Sequence, residues 1–491
     1  MGIVKDIRQS SRLSLMVAAA AATLGIIYGY DSSNIAGALL FITDEFTLSV
    51  AQQQTVTTAV VIGEIFGALF AGALSNRIGR KWTMVLVAVT YAAFSLLSGL
   101  AWAVPVLIGA RFLLGITIGV SVVVVPVYVA ESAPAKVRGA FLVLYQVATV
   151  VGIILGYLIA WALAAGENWR WMLAAAFIPG VVITLLLVKL PDTARWYAMR
   201  GRYDDARRTL ERVEPDAVLV EKELAEMRQA NESTTKNDWR ALLRKPYLRA
   251  SVFVVGLGFF VQITGINAIV YYSPRIFEAM GFTGNAALLG LPALVQVAGL
   301  LAVFVSFSVI DRMGRRPVLL TGIGIMVAAN ALLVATFLAG DDFGGFRTVL
   351  GFVGLILFTV GFTFGFGSLV WVYAGESMPS HLRSLGASAM LTANLMANAA
   401  VAAIFLTLLT QLGGAGTFVV FGALAAAAFV FVHRLAPETK NRPLEDISEF
   451  WENGGSWPHE LVAAGAADAA GTAGAPRAAG TDRTDRTGGA E

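Results

Sequence analysis

The sequence predicts an all-α membrane protein whose twelve transmembrane helices form two six-helix bundles, with short cytoplasmic helices between the halves. Three observations predict this fold class. The 491 residues are 57% hydrophobic and 14% charged, whereas a soluble globular chain carries about 25% charged residues. The mean hydropathy is +0.71. The charges collect in short clusters, and the apolar runs between them have the roughly 20 residues that a bilayer-spanning helix needs.

Twelve apolar runs define the predicted helices, six on each side of a charged middle segment. The runs lie at about 13–34, 53–74, 83–101, 104–126, 139–163 and 169–190 in the first half, and at about 250–272, 284–309, 317–339, 347–372, 383–410 and 414–434 in the second. We therefore divide the chain into an N-terminal bundle (1–190), a cytoplasmic helical linker (191–249), a C-terminal bundle (250–434) and a cytoplasmic tail (435–491). The tail is rich in Ala, Gly and Thr, and we expect disorder from about residue 453.

Lysine and arginine concentrate in alternate joints between the predicted helices. The joint after helix 2 reads SNRIGRKW and the joint after helix 8 reads IDRMGRRP, whereas FITDEF after helix 1 has no basic residue. Because basic joints stay on the cytoplasmic side, the pattern predicts that both termini are cytoplasmic. The first apolar run lacks a small-residue cleavage site, so we expect a retained helix and not a signal peptide.

Several classes of function are excluded or made improbable by what the sequence lacks. It contains no cysteine, which excludes disulfides, thiol catalysis and thiolate metal sites. Its histidines, His381, His433 and His459, lie near predicted helix ends or in the tail, so we expect no metal. It has no phosphate-binding or nucleophile motif, so we expect no enzyme activity, no ATP use and no cofactor. The net charge of +3 is too small to predict a nucleic-acid partner.

The two halves repeat each other. VYVAESAPAKVR (127–138) and VYAGESMPSHLR (372–383) share the pattern Y-x-x-E-x-x-P-x-x-x-R, and SNRIGRK (75–81) resembles IDRMGRR (310–316). We infer a duplicated six-helix unit, an architecture that places a ligand site between the halves near the middle of the membrane.

The repeated acids and arginines predict a gating network at the cytoplasmic ends of the helices. Ion pairs across adjacent joints would latch this side and break when it opens. The alternative is topology signalling with side chains that extend to the interface. The predicted network comprises Arg77, Arg80, Glu131, Arg138, Arg312, Arg315, Glu376 and Arg383.

Ordered motifs over about residues 20–447 resemble the sugar porter family of the major facilitator superfamily. They include GYDSSNIAG in helix 1, GARFLLGITIG in helix 4, QITGINAIVYYSP in helix 7 and PETKNRPLEDI after helix 12. The resemblance implies the major facilitator fold and the movement of a monosaccharide or polyol by alternating access. It also implies a bacterial plasma membrane, a functional monomer and no cofactor.

Asp31 and Arg111 are charged residues inside predicted helices 1 and 4. Insertion scales give a cost of about 2.5–3.5 kcal/mol for a charge at a helix centre. Arg stays protonated, whereas Asp can take up a proton, so a carboxylate that pairs with Arg in one state and is protonated in another would be a proton switch. In proton-coupled sugar porters the matching residues are assigned this role, so we expect Asp31 to carry the proton and Arg111 to be its partner. A static ion pair between the two helices remains the alternative.

Two further features belong to this region. Glu64 is an acid inside predicted helix 2; it either faces the cavity and titrates with the proton-coupling pair or bonds a neighbouring helix, and both interpretations stay open. Gly115 and Gly119 follow Arg111 by one and two turns, and their spacing would permit a close approach of another helix.

A sugar site needs uncharged amides and a flat aromatic surface, and the second half supplies both. Asn267 and Tyr271 are four residues apart and share a helix face, while Gly265 separates them from Gln262, where the family breaks helix 7. The alternative is that these amides only form hydrogen bonds between helices and do not bind a solute. By resemblance, the residues that line the pocket are Tyr28, Gln146, Gln262, Asn267, Tyr271, Gly367, Trp371 and Asn394.

The pocket departs from the family pattern at several positions, which leaves the solute open. The first of the family's paired glutamines on helix 7 is Val261, and the usual Pro after Gly367 is Ser368. Residues with hydrogen-bonding groups in many members are replaced by Ile153, Gly299 and Leu395. We predict a proton-coupled importer of a sugar, polyol or other small polar solute. An uncoupled facilitator and a transport-inactive sugar sensor are the alternatives.

Overall fold

The computed structural model describes residues 11–214, 216–232, 239–339, 344–379 and 382–457. Within these ranges every regular element is a helix, and twelve are long and apolar enough to cross a membrane. The protein is therefore a multi-pass membrane protein, and the predicted fold class with twelve spans, six on each side of the linker, is confirmed. The part of the predicted disordered tail that follows residue 457 lies outside the described residues.

The spans are numbered α1 to α12 in chain order. The first six are α1 Arg12–Phe46, α2 Val50–Ile78, α3 Arg80–Gly99, α4 Val104–Ser132, α5 Ala135–Leu163, and α6, which consists of Trp169–Ala174 and Phe177–Val188. The second six are α7 (Leu248–Ile263 and Ile266–Ala279), α8 Asn285–Met313, α9 Arg315–Leu338, α10 (Gly344–Phe362, a π-turn Thr363–Gly367, and Ser368–Glu376), α11 Arg383–Gln411 and α12 Gly413–Leu435.

Short helices connect the two halves and follow the last span. Between α6 and α7 the chain forms Ala194–Met199, Tyr203–Glu211, Ala217–Glu232 and the 3-10 helix Trp239–Leu243, and Leu444–Glu452 follows α12. The helices Ala194–Met199, Tyr203–Glu211 and Ala217–Glu232 pack on one another through a small cluster of buried apolar residues that includes Ala198, Ala206 and Leu224. The linker therefore has its own small core.

The first helix is longer than the sequence predicts. FITDEF was expected to be a joint, but it forms the last turns of α1, which ends where Thr47 adopts a left-handed backbone conformation. Hydropathy marks only the apolar part of a helix, while these polar turns are held by other contacts. Glu45 accepts hydrogen bonds from the indole of Trp169 and the guanidinium of Arg170, which fixes the end of α1 against the start of α6.

Glycines let pairs of helices in the first half touch backbone to backbone. An added Cβ at Gly115 or Gly119 of α4 would overlap the carbonyl oxygen of Val60 or Glu64 of α2. The close approach predicted from the glycine spacing is therefore present, and the neighbour is α2. Glycines of α1 and α5 allow the same approach between those two helices: Gly29 meets the backbone of Thr149.

The two halves join at one end of the molecule. We call the end that carries Arg80 and Arg315 the basic end, and the other the far end. Three hydrogen bonds between the halves lie toward the far end: Tyr157 to the Val270 carbonyl, Arg275 to Gln53, and Thr407 to Gln54. The buried residues Ile35, Leu39, Ile42, Val56 and Val61 of α1 and α2 share a core with the second half, whereas buried apolar residues in the range 13–30 of α1 pack within the first half. The far end is therefore closed in this structure.

Candidate functional site

A buried ion pair joins α1 to α4. One guanidinium nitrogen of Arg111 donates a hydrogen bond to a carboxylate oxygen of Asp31 at 3.0 Å. Asp31 is 3% exposed and Arg111 is 2% exposed. The Nε atom of Arg111 is buried and has no hydrogen-bond partner among the described residues. The structure thus brings together the two residues that the sequence placed in a proton switch, and it leaves one donor of the arginine free.

A second carboxylate lies close to this pair. Glu64 on α2 is 2% exposed, and its Oε2 atom is buried without a partner in the described part of the chain. The charges of Asp31 and Arg111 both act on it. Three helices therefore bring two carboxylates and one guanidinium into mutual electrostatic range, and a single arginine cannot neutralise both acids.

Amides and a phenol form a linked cluster in the second half. Asn267 of α7 donates to the side-chain oxygen of Asn398 on α11 at 2.9 Å, and the Asn398 amide nitrogen lies 3.2 Å from the Tyr271 hydroxyl. Nearer the basic end, Gln262 donates to Asn394 at 3.3 Å, while its own oxygen is buried and has no partner in the described ranges. The cluster offers uncharged donors and acceptors at the α7–α11 contact.

Breaks in the backbone position these side chains. α7 is interrupted at Gly265, whose φ of +99° favours glycine and whose added Cβ would lie 2.6 Å from the Phe421 ring. The break separates Gln262 from Asn267, at the position where the family resemblance implied it. In α10 a π-turn over Thr363–Gly367 precedes Trp371, which is 46% exposed. π-turns inside α-helices are frequent at functional sites.

Tyr28 of the first half and Tyr271 of the second half are influenced by the same carboxylate. Tyr28 of α1 and Gln146 of α5 are half-buried, as is Gly367. Of the charged side chains, Glu64 acts most strongly on the Tyr28 hydroxyl and also on that of Tyr271 in the second half. The charged cluster of the first half and the amide cluster of the second half are therefore within electrostatic range of each other.

At the basic end of the first half, Arg80 binds Glu131 through two hydrogen bonds of 3.0 and 3.3 Å. The hydroxyl of Thr193 donates to the same carboxylate at 2.7 Å. Asp192 accepts a hydrogen bond from the Arg80 backbone N–H at 3.0 Å and so caps the start of α3. Burial raises the pKa of the Asp192 carboxyl, and hydrogen bonds from backbone N–H groups oppose this shift.

The second half repeats this arrangement. Glu438 accepts from the backbone N–H groups of Arg315 and Arg316 at 3.0 and 3.1 Å and caps the start of α9. The Thr439 hydroxyl donates to Glu376 at 2.5 Å. The ion pair between Arg315 and Glu376 is longer, at 3.8 Å. In each half, the contacts at the basic end are thus made by residues of that half alone.

Other members of the predicted gating network are placed differently. Arg77 and Arg312 are exposed, and each contributes its backbone carbonyl as an acceptor, for Arg200 and Lys440 respectively. Arg383 is half-buried, and its Nε atom has no partner among the described residues. The side chain of Arg138 lies outside the described part of the chain.

Residues outside the predicted site set lie at the centre of these clusters. Asn398 links Asn267 to Tyr271, and its spacing of four from Asn394 was the available signal. The two acids that cap α3 and α9, and the threonines that follow them, come from Pro-Asp-Thr (191–193) and Pro-Glu-Thr (437–439). Each tripeptide follows the last helix of its half, so this third internal repeat could have been found by aligning the halves.

Comparisons with known proteins agree with the fold and the motifs. The family model for sugar (and other) transporters matches residues 17–451. The galactose-proton symporter of Escherichia coli K12 is 35% identical over 444 residues, covering 90% of this chain and 95% of the relative. The arabinose-proton symporter of the same strain is 34% identical over 447 residues, covering 90% and 94%.

Solved structures show the same fold. The inward open conformation of the xylose transporter XylE from E. coli superposes with a TM-score of 0.76 at 22% identity, covering 89% of this chain and 100% of that one. Its partially occluded inward open conformation also gives 0.76 at 22% identity, covering 88% and 100%. The match of the family model over most of the chain, together with these relatives, shows that the protein belongs to the family of sugar (and other) transporters.

Proposed function

We propose that the protein imports a monosaccharide, a polyol or a related small polar solute together with protons. The observation that carries the proposal is the buried Asp31–Arg111 pair, which lies inside two spans and within electrostatic range of the amide cluster. Charged residues inside membrane spans are costly and commonly mark ion or proton pathways. Relatives named as galactose-proton and arabinose-proton symporters support sugar as the class of solute.

The geometry provides a coupling mechanism. While Asp31 is ionised it is held by Arg111, which ties α1 to α4. Protonation of Asp31 removes the charge attraction and frees Arg111. Because α1 also carries Tyr28, a change at the pair alters the first-half wall of the solute site. Proton binding and solute binding therefore act on one helix.

Glu64 is assigned to the same proton-linked group. Within the described part of the chain, one oxygen of its carboxylate and the Nε atom of Arg111 have no hydrogen-bond partner. Arg111 could therefore exchange one acid for the other. Such an exchange would let Asp31 take up a proton without leaving a buried, unpaired guanidinium, which is costly.

The solute is proposed to bind against α7, α10 and α11. The amide cluster supplies donors and acceptors for hydroxyl groups, and the exposed ring of Trp371 supplies a flat apolar surface. The Gln262 oxygen, which no described residue bonds, is proposed to accept from a solute hydroxyl. Tyr28, Gln146 and Gly367 complete the proposed site.

We propose that the basic end faces the cytoplasm of a bacterial cell, with both termini on that side of the plasma membrane. Basic residues are retained on the cytoplasmic side, and the short linker helices lie between α6 and α7 at this end. With the far end closed, the structure corresponds to the state that releases solute inward. The Arg80–Glu131 and Arg315–Glu376 pairs, each formed inside one half in this state, are proposed gating elements whose charges exchange partners between the halves when the basic end closes. One chain is proposed to be the functional unit.

The test uses purified protein in liposomes that enclose a pH-sensitive dye, with hexoses, pentoses, polyols and deoxy sugars added one at a time. We expect at least one compound to acidify the lumen. Asp31→Asn should abolish this signal, because Asn cannot carry a proton. Asp44→Asn is the matched control, since Asp44 lies on the same helix but is exposed, and it should transport normally.

Counterflow of labelled solute resolves the alternatives. Exchange in the wild type without proton movement would make the protein an uncoupled facilitator and the Asp31–Arg111 pair structural. Absence of both signals for every compound would contradict the proposed solute class and favour a sensor.

A further inference from the structure

A groove outside the proposed solute site runs between α2, α4 and α11 near the far end. Its volume is about 700 Å³, within the range of roughly 300–1,000 Å³ typical of small-molecule sites. Its walls include Ile62 of α2, Phe112 of α4 and Ala403 of α11. The first two belong to one half of the molecule and Ala403 to the other, so the groove follows the seam between the halves.

Two polar side chains of this groove each carry a donor that has no partner among the residues that the structure describes. Gln54 and Thr58 of α2 both line it, and each is 6% exposed. The amide nitrogen of Gln54 and the hydroxyl of Thr58 have no hydrogen-bond partner among the described residues, although the Gln54 oxygen accepts from Thr407. A buried donor without an acceptor is costly. The two donors lie one helical turn apart, buried at the wall of the groove, and a rotation of each side chain would present them to a ligand that brings acceptor oxygens.

The groove opens toward the bilayer. Ile62 is 41% exposed, and Phe66, Leu69 and Phe70 continue an exposed apolar face along α2. An apolar, exposed helix face in a membrane span contacts lipid. Molecules that reach the groove from this side are therefore lipids or other amphiphiles dissolved in the membrane.

The depth of the two donors identifies the part of a lipid that reaches them. The 29 residues of α2 span about 43 Å at about 1.5 Å per residue, which exceeds the hydrocarbon core of about 30 Å. If both ends share the excess, the core begins about 6 Å from the start of α2, which is the level of Gln54. This is the level at which glycerolipids carry their ester groups, and Thr58 lies one turn deeper.

We propose that this groove binds a glycerolipid of the surrounding bilayer. The ester oxygens accept hydrogen bonds from the Gln54 amide and the Thr58 hydroxyl, and one acyl chain lies along Ile62 and Phe112. A lipid in this position contacts Ala403 as well as α2 and α4, so it bridges the two halves while the far end is closed. The proposal does not depend on the solute or on proton coupling.

The test uses the full chain in nanodiscs that contain a phosphatidylglycerol with a diazirine in one acyl chain. After illumination, labelled peptides are identified by mass spectrometry. We expect labels in the segments that contain residues 54–62 and 105–112. Gly109 lines the groove, and an added Cβ there would meet no atom within 4 Å, so Gly109→Leu fills the groove without a clash. It should lower labelling about tenfold.

Gly72→Leu is the matched control. Gly72 lies on the exposed face of α2, away from the groove, and an added Cβ there also meets no atom within 4 Å. Labelling of the groove should match the wild type. Equal labelling in Gly109→Leu and Gly72→Leu, or labels spread evenly over all exposed spans, would overturn the proposal.

Thr58→Val keeps the test decisive if Gly109→Leu does not fold. It removes a hydroxyl that has no protein partner and preserves the side-chain shape, and the loss of one hydrogen bond should lower labelling about fivefold. Unchanged labelling would overturn the proposal. Excess galactose or arabinose should have no effect, and competition by either would make the groove a solute vestibule and overturn the lipid assignment.

Discussion

The basic ends of the two halves use the same motif, but they differ in how tightly the charges are paired. In the first half, Arg80 and Glu131 are 3.0 Å apart with side chains only 7% and 10% exposed. In the second half, Arg315 and Glu376 are 3.8 Å apart and 19% and 28% exposed, and Arg315 also binds Asp311 at 3.1 Å. A repeated sequence motif therefore specifies the partners but not the strength of their interaction.

The caps that follow the last helix of each half show a related difference. Asp192 uses one oxygen for the N–H groups of both Arg80 and Thr193, and its other oxygen is unpaired within the described residues. Glu438 has the longer side chain and divides its two oxygens between Arg315 and Arg316. The first half is thus the more buried and less adaptable copy, and substitutions in it should have the larger effects.

The largest difference is expected between Glu131→Ala and Glu376→Ala. Glu131→Ala leaves the buried Arg80 without its carboxylate and should lower the free energy of unfolding by about 3–5 kcal/mol. Glu376→Ala should cost about 1 kcal/mol or less, because Arg315 is more exposed and keeps Asp311. Unfolding of the purified proteins in one detergent measures both values, and equal losses would contradict the comparison.

A smaller difference is expected between Gly79→Ala and Gly314→Ala. Both glycines have positive φ, +98° and +97°, a conformation that should cost an alanine about 1–3 kcal/mol. At Gly79 the new methyl group would also overlap Asp192, which two backbone hydrogen bonds hold in place. At Gly314 it would lie 2.5 Å from the end of the longer Glu438 side chain.

Gly79→Ala should therefore unfold at the lower temperature. Gly72→Ala serves as the control, because its methyl group meets no atom within 4 Å and its φ is helical, and it should match or exceed the wild type. Identical melting temperatures for the variants at Gly79 and Gly314 would show that the Asp192 and Glu438 side chains move aside equally easily, which would contradict the comparison.

The smallest effect is a pH dependence at Asp192. Burial raises the pKa of this carboxyl above its ordinary value of 3.8, so between 3.8 and the raised value the folded protein binds more protons than the unfolded chain. The free energy of unfolding contributed by Asp192 is therefore greatest below pH 3.8 and falls as the pH rises through this window. Asp192→Asn cannot ionise, so its melting temperature should fall less over the same range. Parallel pH profiles for variant and wild type would contradict this assignment.

The sequence predicted the fold well because hydropathy and charge act at the level of whole helices. Twelve spans and their division into six plus six are confirmed, and the resemblance to sugar porters is confirmed by the family match. Helix ends were less predictable, since polar turns such as FITDEF continue α1 without adding hydropathy. The predicted roles of individual residues in coupling, solute binding and gating remain predictions.

The local geometry of the site could not be predicted from residue types. Asp31 and Arg111 were matched because one cation and one anion inside apolar helices need each other. The links of Asn398 to Asn267 and Tyr271 join α11 to the part of α7 that follows the break at Gly265, and the packing of these two helices is set by the whole bundle. The groove beside Gly109 depends on the approach of α11 to α2, which joins residues more than 300 positions apart, a relation that no local pattern contains.

The self-contained caps have a consequence for biosynthesis. All the groups that close the basic end of the first half, from Arg80 to Thr193, have been synthesised before the second half begins. The second half needs Glu438 and Thr439, which are made after its last span. Because domains generally fold as units during translation, the first bundle can form all the contacts at its basic end while the ribosome is still making the second. The second bundle can form its own contacts there only near the end of synthesis.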